Sequence, residues 1–372
     1  MSASAVPKFI IRQAASEDAP TLLKLAKMVH FINLPADSDI IIGKIQRSRR
    51  AFEGDAPSER EREFMFVLED AETGNVIGTS SVIAAISWPG RPHTYLEVRK
   101  REHYSEDLQT GAVHVTMQLN TDETGPSEIG GLILSPAYRG HPEKLGALLS
   151  LIRFHFIGLH REWFSHRIIA EMMAPLTPDS RNTLWEYLGR RCINLSYAEA
   201  DRFCQHSKEF ITSLLPKTEI YASLLPPEAR NLIGKVGSET RPAKLMLERL
   251  GFFYKGHIDP FDGGPYLEAA VDDITLVRTT RCAVVAPSTG AFNHAGYLSH
   301  EGDYGFRAVR SAYAEVDGRI AVPQATLDAL HADIGDQVGV TPIPARQAPP
   351  PAPPSDQSSG QSSDSTTGLA AS

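Results

Sequence analysis

Ser127-Glu128-Ile129-Gly130-Gly131-Leu132-Ile133-Leu134 is the stretch on which the reading of this chain turns. It is short, apolar and bounded by turn residues, which predicts a strand over 128–134. Ser135 to Pro142 (SPAYRGHP) follows as a polar turn carrying Arg139 and Gly140. From Glu143 to about His160 the apolar residues recur at helical spacing, with Leu145, Leu148, Leu149, Ile152 and Phe156 on one face. A strand, a turn and a helix in this order aim backbone N–H groups and the positive helix end at whatever fills the turn, usually a phosphate. A second strand, Arg167 to Met172, comes next, and a helix is predicted from Asp179 to Tyr187, closing at Leu188-Gly189. Taken alone, the unit is also an ordinary part of any α/β domain.

Working outward, Phe9-Ile10-Ile11-Arg12 reads as an opening strand. Ser16-Glu17-Asp18 caps a helix running through Val29, with Leu22, Leu23, Leu25 and Ala26 as its buried stripe. Asp37 to Phe52 is a second helix, entered through Leu34-Pro35-Ala36. Phe64 to Glu69 and Val76 to Ile86 are strands joined by a polar hairpin loop. Thr94 to Val98 and Ala112 to Leu119 are strand-like and fill the gap before residue 128. This order of elements resembles the acyl-CoA N-acyltransferases of the GNAT type. Their phosphate loop is written Q/R-x-x-G-x-G/A, of which Arg139-Gly140-His141-Pro142-Glu143-Lys144-Leu145-Gly146 is a loose version.

The chain also echoes itself. Arg181 to Gly189 is a short helix ending at glycine, and Arg241 to Phe252 repeats that design. Each glycine suits a helix C-cap, where a left-handed backbone is needed. From about Val284 the texture changes to short strands and turns, with Gly318 to Val322 and Val338 to Val340 as the clearest runs. After Ala345 come Pro, Ser, Gln, Gly and Asp, including a polyproline run from Pro349 to Pro354. The expected organisation is an α/β (α+β) GNAT-like acyl-CoA-binding core over 8–200 and a partial second GNAT-like half over 201–282. A small C-terminal β module over 283–345 and a disordered tail over 346–372 complete it.

With 372 residues, the chain is long enough for two domains, or for one core with additions. Hydrophobic residues at 42% and charged residues at 22% are ordinary for a soluble globular protein. A net charge of −8 argues against a nucleic-acid surface, which needs clustered Lys and Arg. Cys192, Cys204 and Cys282 match no metal-site spacing, and their odd number suits reduced thiols in a cytoplasm. No apolar leader core opens the sequence and no run of about 18 apolar residues occurs, so the expectation is a cytoplasmic protein without a membrane span or a metal.

The words of the sequence then carry a narrower resemblance. They are Leu34-Pro35-Ala36, Phe66-Val67-Leu68-Glu69-Asp70, Thr124-Gly125 with Ser127-Glu128, and Ala170-Glu171-Met172. Phe210-Ile211 with Leu215-Pro216-Lys217, Ile233-Gly234-Lys235-Val236 and Ile258-Asp259-Pro260-Phe261-Asp262-Gly263-Gly264-Pro265 continue them. Through these the chain resembles the bacterial arginine N-succinyltransferases and their ornithine-accepting relatives, over roughly residues 8 to 344. The resemblance implies an enzyme that moves a succinyl group from succinyl-CoA to the α-amine of arginine, in arginine catabolism. It implies Leu132 as a succinyl-CoA contact, and Arg139, Gly140, His141, Lys144 and Gly146 as the pyrophosphate loop. It also implies a family that tends to assemble.

One departure stands out. The family's proton-transfer histidine lies in a Val-His-Pro word that reads Val236-Gly237-Ser238 here. An α-ammonium group must lose a proton before it attacks a thioester, and a positioned base contributes roughly 10²–10⁴-fold. Glu239 and His257 are the substitutes the sequence offers, although Glu239 also reads as a capping residue and His257 as a strand-edge polar residue. Glu171 is a candidate to orient an amine or guanidinium, and Asp259 and Asp262 to pair with a cationic substrate; their plain readings are a structural hydrogen bond and Asx turns. His206, in a polar helical segment, is a weaker candidate. Two alternatives stay open: another acyl donor or amine acceptor, and a non-catalytic acyl-CoA-binding protein.

Overall fold

The computed structural model describes residues 6–28, 34–177, 181–204, 207–288 and 290–343. The tail expected to be disordered, the helix start at Asp179 and His206 lie outside these residues. Among the described residues fifteen strands form one sheet. They are β1 (Phe9–Gln13), β2 (Glu63–Asp70), β3 (Asn75–Ile83), β4 (His93–Ser105), β5 (Thr110–Asp122), β6 (Ser127–Leu134), β7 (Arg167–Glu171) and β8 (Ile220–Tyr221). After these come β9 (Phe253–Ile258), β10 (Pro265–Ala270), β11 (Arg281–Val284), β12 (His294–Gly302), β13 (Gly305–Val316), β14 (Arg319–Ala321) and β15 (Gln337–Pro342). Their spatial order is β11-β15-β12-β13-β1-β2-β3-β6-β7-β10-β9-β4-β5-β8, with β14 on β13. Among these strands β6 and β7 are the parallel pair.

The helices are α1 (Ala19–Met28), α2 (Ser38–Phe52), α3 (Leu145–Leu159), α4 (Thr183–Tyr187), α5 (Gly189–Ile193) and α6 (Tyr197–Cys204). They continue as α7 (Glu209–Leu214), α8 (Pro227–Arg230), α9 (Arg241–Arg249), α10 (Thr275–Thr279) and α11 (Gln324–Leu330). None is long and apolar enough to cross a membrane. Asp37 starts α2 by accepting from the Asp39 and Ile40 N–H groups at 2.9 and 3.1 Å, which satisfies donors a helix start otherwise leaves open.

β2 is buried on both faces, which explains its unbroken apolar run. Phe64, Phe66 and Leu68 meet α3, while Met65 and Val67 meet Leu22, Leu25, Ile41 and Ile45 of α1 and α2. α3 is apolar nearly all round because it is enclosed, with β3 and β6 on one side and α10 and β15 nearby. Phe306 of β13 stands edge-on to Phe66 and Phe156, so the C-terminal strands share this core through β1.

Strands β4 and β5, which precede β6 in sequence, pair with β9 and β8 at the far side of the sheet. Apolar patterning fixes which face of a strand is buried, not which edge it joins. Gly189 is not a left-handed cap: it opens α5, and a Cβ there would lie 2.2 Å from the Trp185 ring. Close packing accounts for that glycine, whereas Gly251 does follow α9 at φ +97° as a cap requires.

Candidate active site

β6 and β7 pair only at Ser127↔Ile168 and Glu128↔Ile169, and then diverge. The cause is visible in β6. Between Gly130, opposite Ser81, and Ile133, opposite Thr79, β6 carries one residue more than β3. Gly131 takes φ +59°, and a Cβ there would lie 2.9 Å from Ser81 Oγ, so the bulge needs glycine. A regular strand would put Ile129 and Ile133 on one face. Here Ile129 enters the core beneath α3 and Ile133 the core beneath α1 and α2.

The gap between the diverging strands is a cleft of ≈ 820 Å³. It is lined by Ile129 to Leu134, by the loop after β6, by the first turns of α3, by Ala170 to Met173, and by Ser238 to Met246 around the start of α9. The unpaired inner edges of β6 and β7 leave backbone amide groups for a ligand, since a ladder no longer uses them.

At one end the loop from Ser135 to Lys144 meets the start of α3. Lys144 holds the N-cap position at φ 56°, and its side chain cannot accept a capping hydrogen bond. No acceptor among the described residues takes the N–H groups of Gly140, Leu145 or Gly146. His141 props the loop, packing edge-on against Phe9 at 5.1 Å and accepting from the Glu143 N–H at 3.2 Å. Arg139 and Lys144 are exposed cations at this end. Open donors, a helix start and two cations, of which Arg139 is paired with Glu239, suit an anion such as a pyrophosphate.

Deeper in, Glu171 stands two residues beyond Ile169, the last residue of β7 paired with β6. Glu171 lies within hydrogen-bond reach of Asp259, and burial followed by the Asp259 charge holds its carboxyl well above the usual range. Burial also raises the Glu128 carboxyl, and burial with Asp259 pushes Asp262 up to about 7. Lys208, just ahead of α7, keeps contact with solvent along the residue while its ammonium is enclosed by protein. Desolvation lowers its pKa, but Asp259 and Glu171 outweigh that and raise it. Tyr266 faces Glu171 in the β7–β10 ladder and buries its hydroxyl with no partner among the described residues. Four carboxyl groups therefore gather around one ammonium, a surplus of acid suited to a cationic ligand. Among the described residues no group of His, Cys, Asp and Glu is placed to hold a metal ion.

The residues singled out from the sequence divide accordingly. Leu132, Arg139, Gly140, His141, Lys144, Gly146 and Glu171 line the cleft. Asp259 and Asp262 stand behind it, buried in the turn after β9. Asp259 Oδ1 accepts from the Phe261 N–H and Asp262 Oδ1 from the Gly264 N–H, each at 2.6 Å, while Asp262 Oδ2 accepts from the Ala174 N–H at 2.9 Å. Glu239 lies at the mouth and pairs with Arg139 at 2.5 Å, both largely exposed. His257 lies outside the cleft, stacked on Tyr95 at 4.1 Å beside a separate narrow hollow. Gly237 sits against the end of β7, donating to the Met173 carbonyl at 3.0 Å.

Sequence reasoning passed over Glu128, Lys208 and Arg153. Arg153 is 2% exposed and lines the cleft from α3. Its signal was present: a lone arginine in a helix otherwise apolar on every side must be buried.

Comparison with known proteins agrees with this geometry. The family model described as arginine N-succinyltransferase beta subunit matches residues 9–276. The arginine N-succinyltransferase of Shigella boydii serotype 4 is 34% identical over 335 residues, spanning 88% of this chain and 96% of the relative. That of Escherichia coli O139:H28 matches to the same extent. Among solved structures, arginine/ornithine succinyltransferase subunit AI from Pseudomonas aeruginosa superposes with a TM-score of 0.78 at 24% identity, covering 91% of this chain and 100% of that one. It shares the fold. Matched across nearly its whole described length, this chain belongs to the arginine N-succinyltransferase family and is an acyltransferase that takes an acyl-CoA donor.

Proposed function

We propose that the protein transfers the succinyl group of succinyl-CoA to the α-amine of L-arginine, as a step of arginine catabolism. The observation that carries the reading is one cleft with opposite charge at its two ends. The cationic loop at Arg139 and Lys144 suits the CoA pyrophosphate, and Glu171 with its acidic neighbours suits an amino acid that is cationic at both ends. The pantetheine arm would lie between β6 and β7, its amides meeting the backbone edges left unpaired. The relatives named arginine N-succinyltransferase support the donor and the acceptor.

In the reaction Glu171, in its ionised form, takes a proton from the α-ammonium. Burial and the Asp259 charge raise its proton affinity, which suits that task, and it stands in for the histidine replaced by Gly237. The amine nitrogen then attacks the thioester carbon, and backbone N–H groups at the Gly131–Leu132 bulge stabilise the oxyanion. The C–S bond breaks, the CoA thiolate leaves and takes up a proton, and the succinyl amide remains. Direct transfer is favoured because none of the three cysteines lines the cleft, and burial pushes the Cys204 thiol up to about 12.

The test is release of free CoA thiol from purified protein with succinyl-, acetyl- and butyryl-CoA, each crossed with arginine, ornithine and lysine. Fast release confined to succinyl-CoA with arginine or ornithine is expected. Release only with another donor or another amine would overturn the reading.

A further inference from the structure

Arg153 sits eight residues into α3, about 12 Å along the helix from the phosphate loop at 1.5 Å per residue. Its guanidinium bonds to the Ser150 carbonyl at 3.0 Å, to Ser150 Oγ at 2.5 Å and to the Gly130 carbonyl at 3.2 Å. A guanidinium has five N–H donors, so two remain. No carboxylate among the described residues lies within ion-pair distance of it, although it is 2% exposed and lines the cleft. Burial pushes its pKa down to about 9, the direction expected for a cation without a counter-ion. A charge kept in this state costs stability unless a partner arrives.

Gly130 and Glu171 each stand two residues beyond the last pair between β6 and β7, Glu128↔Ile169. The acidic group around Glu171 repels an anion, and the phosphates of a CoA already have the loop. The anion that Arg153 lacks is therefore one carried on the acyl chain itself.

Resting on the succinyl-CoA reading above, we infer that Arg153 is the donor-specificity residue. Its two free N–H groups receive the terminal carboxylate of the succinyl chain, drawing it toward α3 and away from the acidic acceptor side. A neutral acyl group of the same length would leave the guanidinium buried and unpaired. Selection would then work by rejecting monocarboxylic donors as much as by attracting dicarboxylic ones.

Equilibrium binding of succinyl-CoA and butyryl-CoA, which differ by the terminal carboxylate, tests this without turnover. The unaltered protein should bind succinyl-CoA about 30-fold or more tighter, the scale of a buried charge-assisted pair. Arg153→Met should abolish the preference while butyryl-CoA affinity stays within about threefold, which also reports that the cleft is intact. Arg153→Lys, which keeps the charge and loses the fork, should retain part of it. Equal binding of both donors by the unaltered protein overturns the inference, whatever the variants do. So does an equal loss of both in Arg153→Met. If the preference depends on Arg153 but no amine is succinylated, the inference stands and the proposed reaction falls. If arginine is succinylated while Arg153→Met keeps the preference, the reverse holds.

Discussion

Replacing Glu171 by glutamine keeps the shape of the side chain and removes one of two carboxyl groups from a buried pair with Asp259. We expect Glu171→Gln to lower kcat/KM for arginine by about 100-fold or more while succinyl-CoA binding changes little, as steady-state kinetics beside a binding titration would show. Normal turnover in the variant would remove Glu171 from the proton route. Gly237 offers the complementary experiment. A Cβ there would meet nothing nearer than the Ala174 carbonyl at 3.4 Å, so Gly237→His should fold as the unaltered chain does. Because the proposed route runs through Glu171, CoA release should change by less than about tenfold; a gain of 100-fold would mean that this protein lacks an adequate base. At this scale the sequence was only partly readable. Glu171 and the loop residues could be found because strand, turn and helix are local. Lys208 and Glu128 could not, since they reach Glu171 only when segments far apart in sequence are folded over one face of the sheet. The two aspartates were legible as acidic residues in a turn, but not that their oxygens are engaged by backbone N–H groups.

Within α3, the first turn and the middle make separate demands. Lys144 occupies a left-handed conformation that glycine adopts without strain. Lys144→Gly should leave the melting temperature unchanged or raise it, while weakening succinyl-CoA binding several-fold and reducing its salt dependence. Tighter or unchanged binding would mean that Lys144 does not meet the phosphates. In the middle of the helix, His155 bonds to Thr341 Oγ1 at 2.6 Å and Ser299 Oγ at 2.7 Å. Burial pushes its pKa down from 6.5 to about 3, so the folded protein holds it neutral. The unfolded chain binds the extra proton below about pH 6.5. Stability is therefore full above that pH and drains as pH falls toward about 3, at about 1.4 kcal/mol per unit. Thermal melts from pH 7.5 to pH 5 should show the decline, and His155→Gln should flatten it; parallel curves would assign the acid sensitivity elsewhere. The helix itself was evident from its spacing. That it is enclosed on all sides was implied by its composition, and that enclosure makes both Arg153 and His155 consequential.

Across the whole molecule, the sheet does not follow the order of the chain. Its central strands could be read because β2 and β3 form a hairpin and β6 leads directly through α3 to β7. The placement of β4 and β5 could not, because pairing between distant strands leaves no mark in either one's pattern. β1 depends on the far end of the chain, pairing Ile11 with Ala308 and Arg12 with Arg307. A chain ended after residue 283 would lose that partner and the Phe306 ring packed on Phe66 and Phe156. We expect it to be insoluble, by sedimentation of freshly expressed protein, and a soluble, succinyl-CoA-binding product would show the first core to be self-sufficient. The same topology bears on synthesis. While the ribosome delivers residues 123 to 252, the β4–β5 hairpin has no β9 to join, and β7 waits for β10 until residue 270 has emerged. For that interval nascent protein carries long, unsatisfied strand edges, so its yield in the cell depends on translation speed and chaperone supply before any question of catalysis arises.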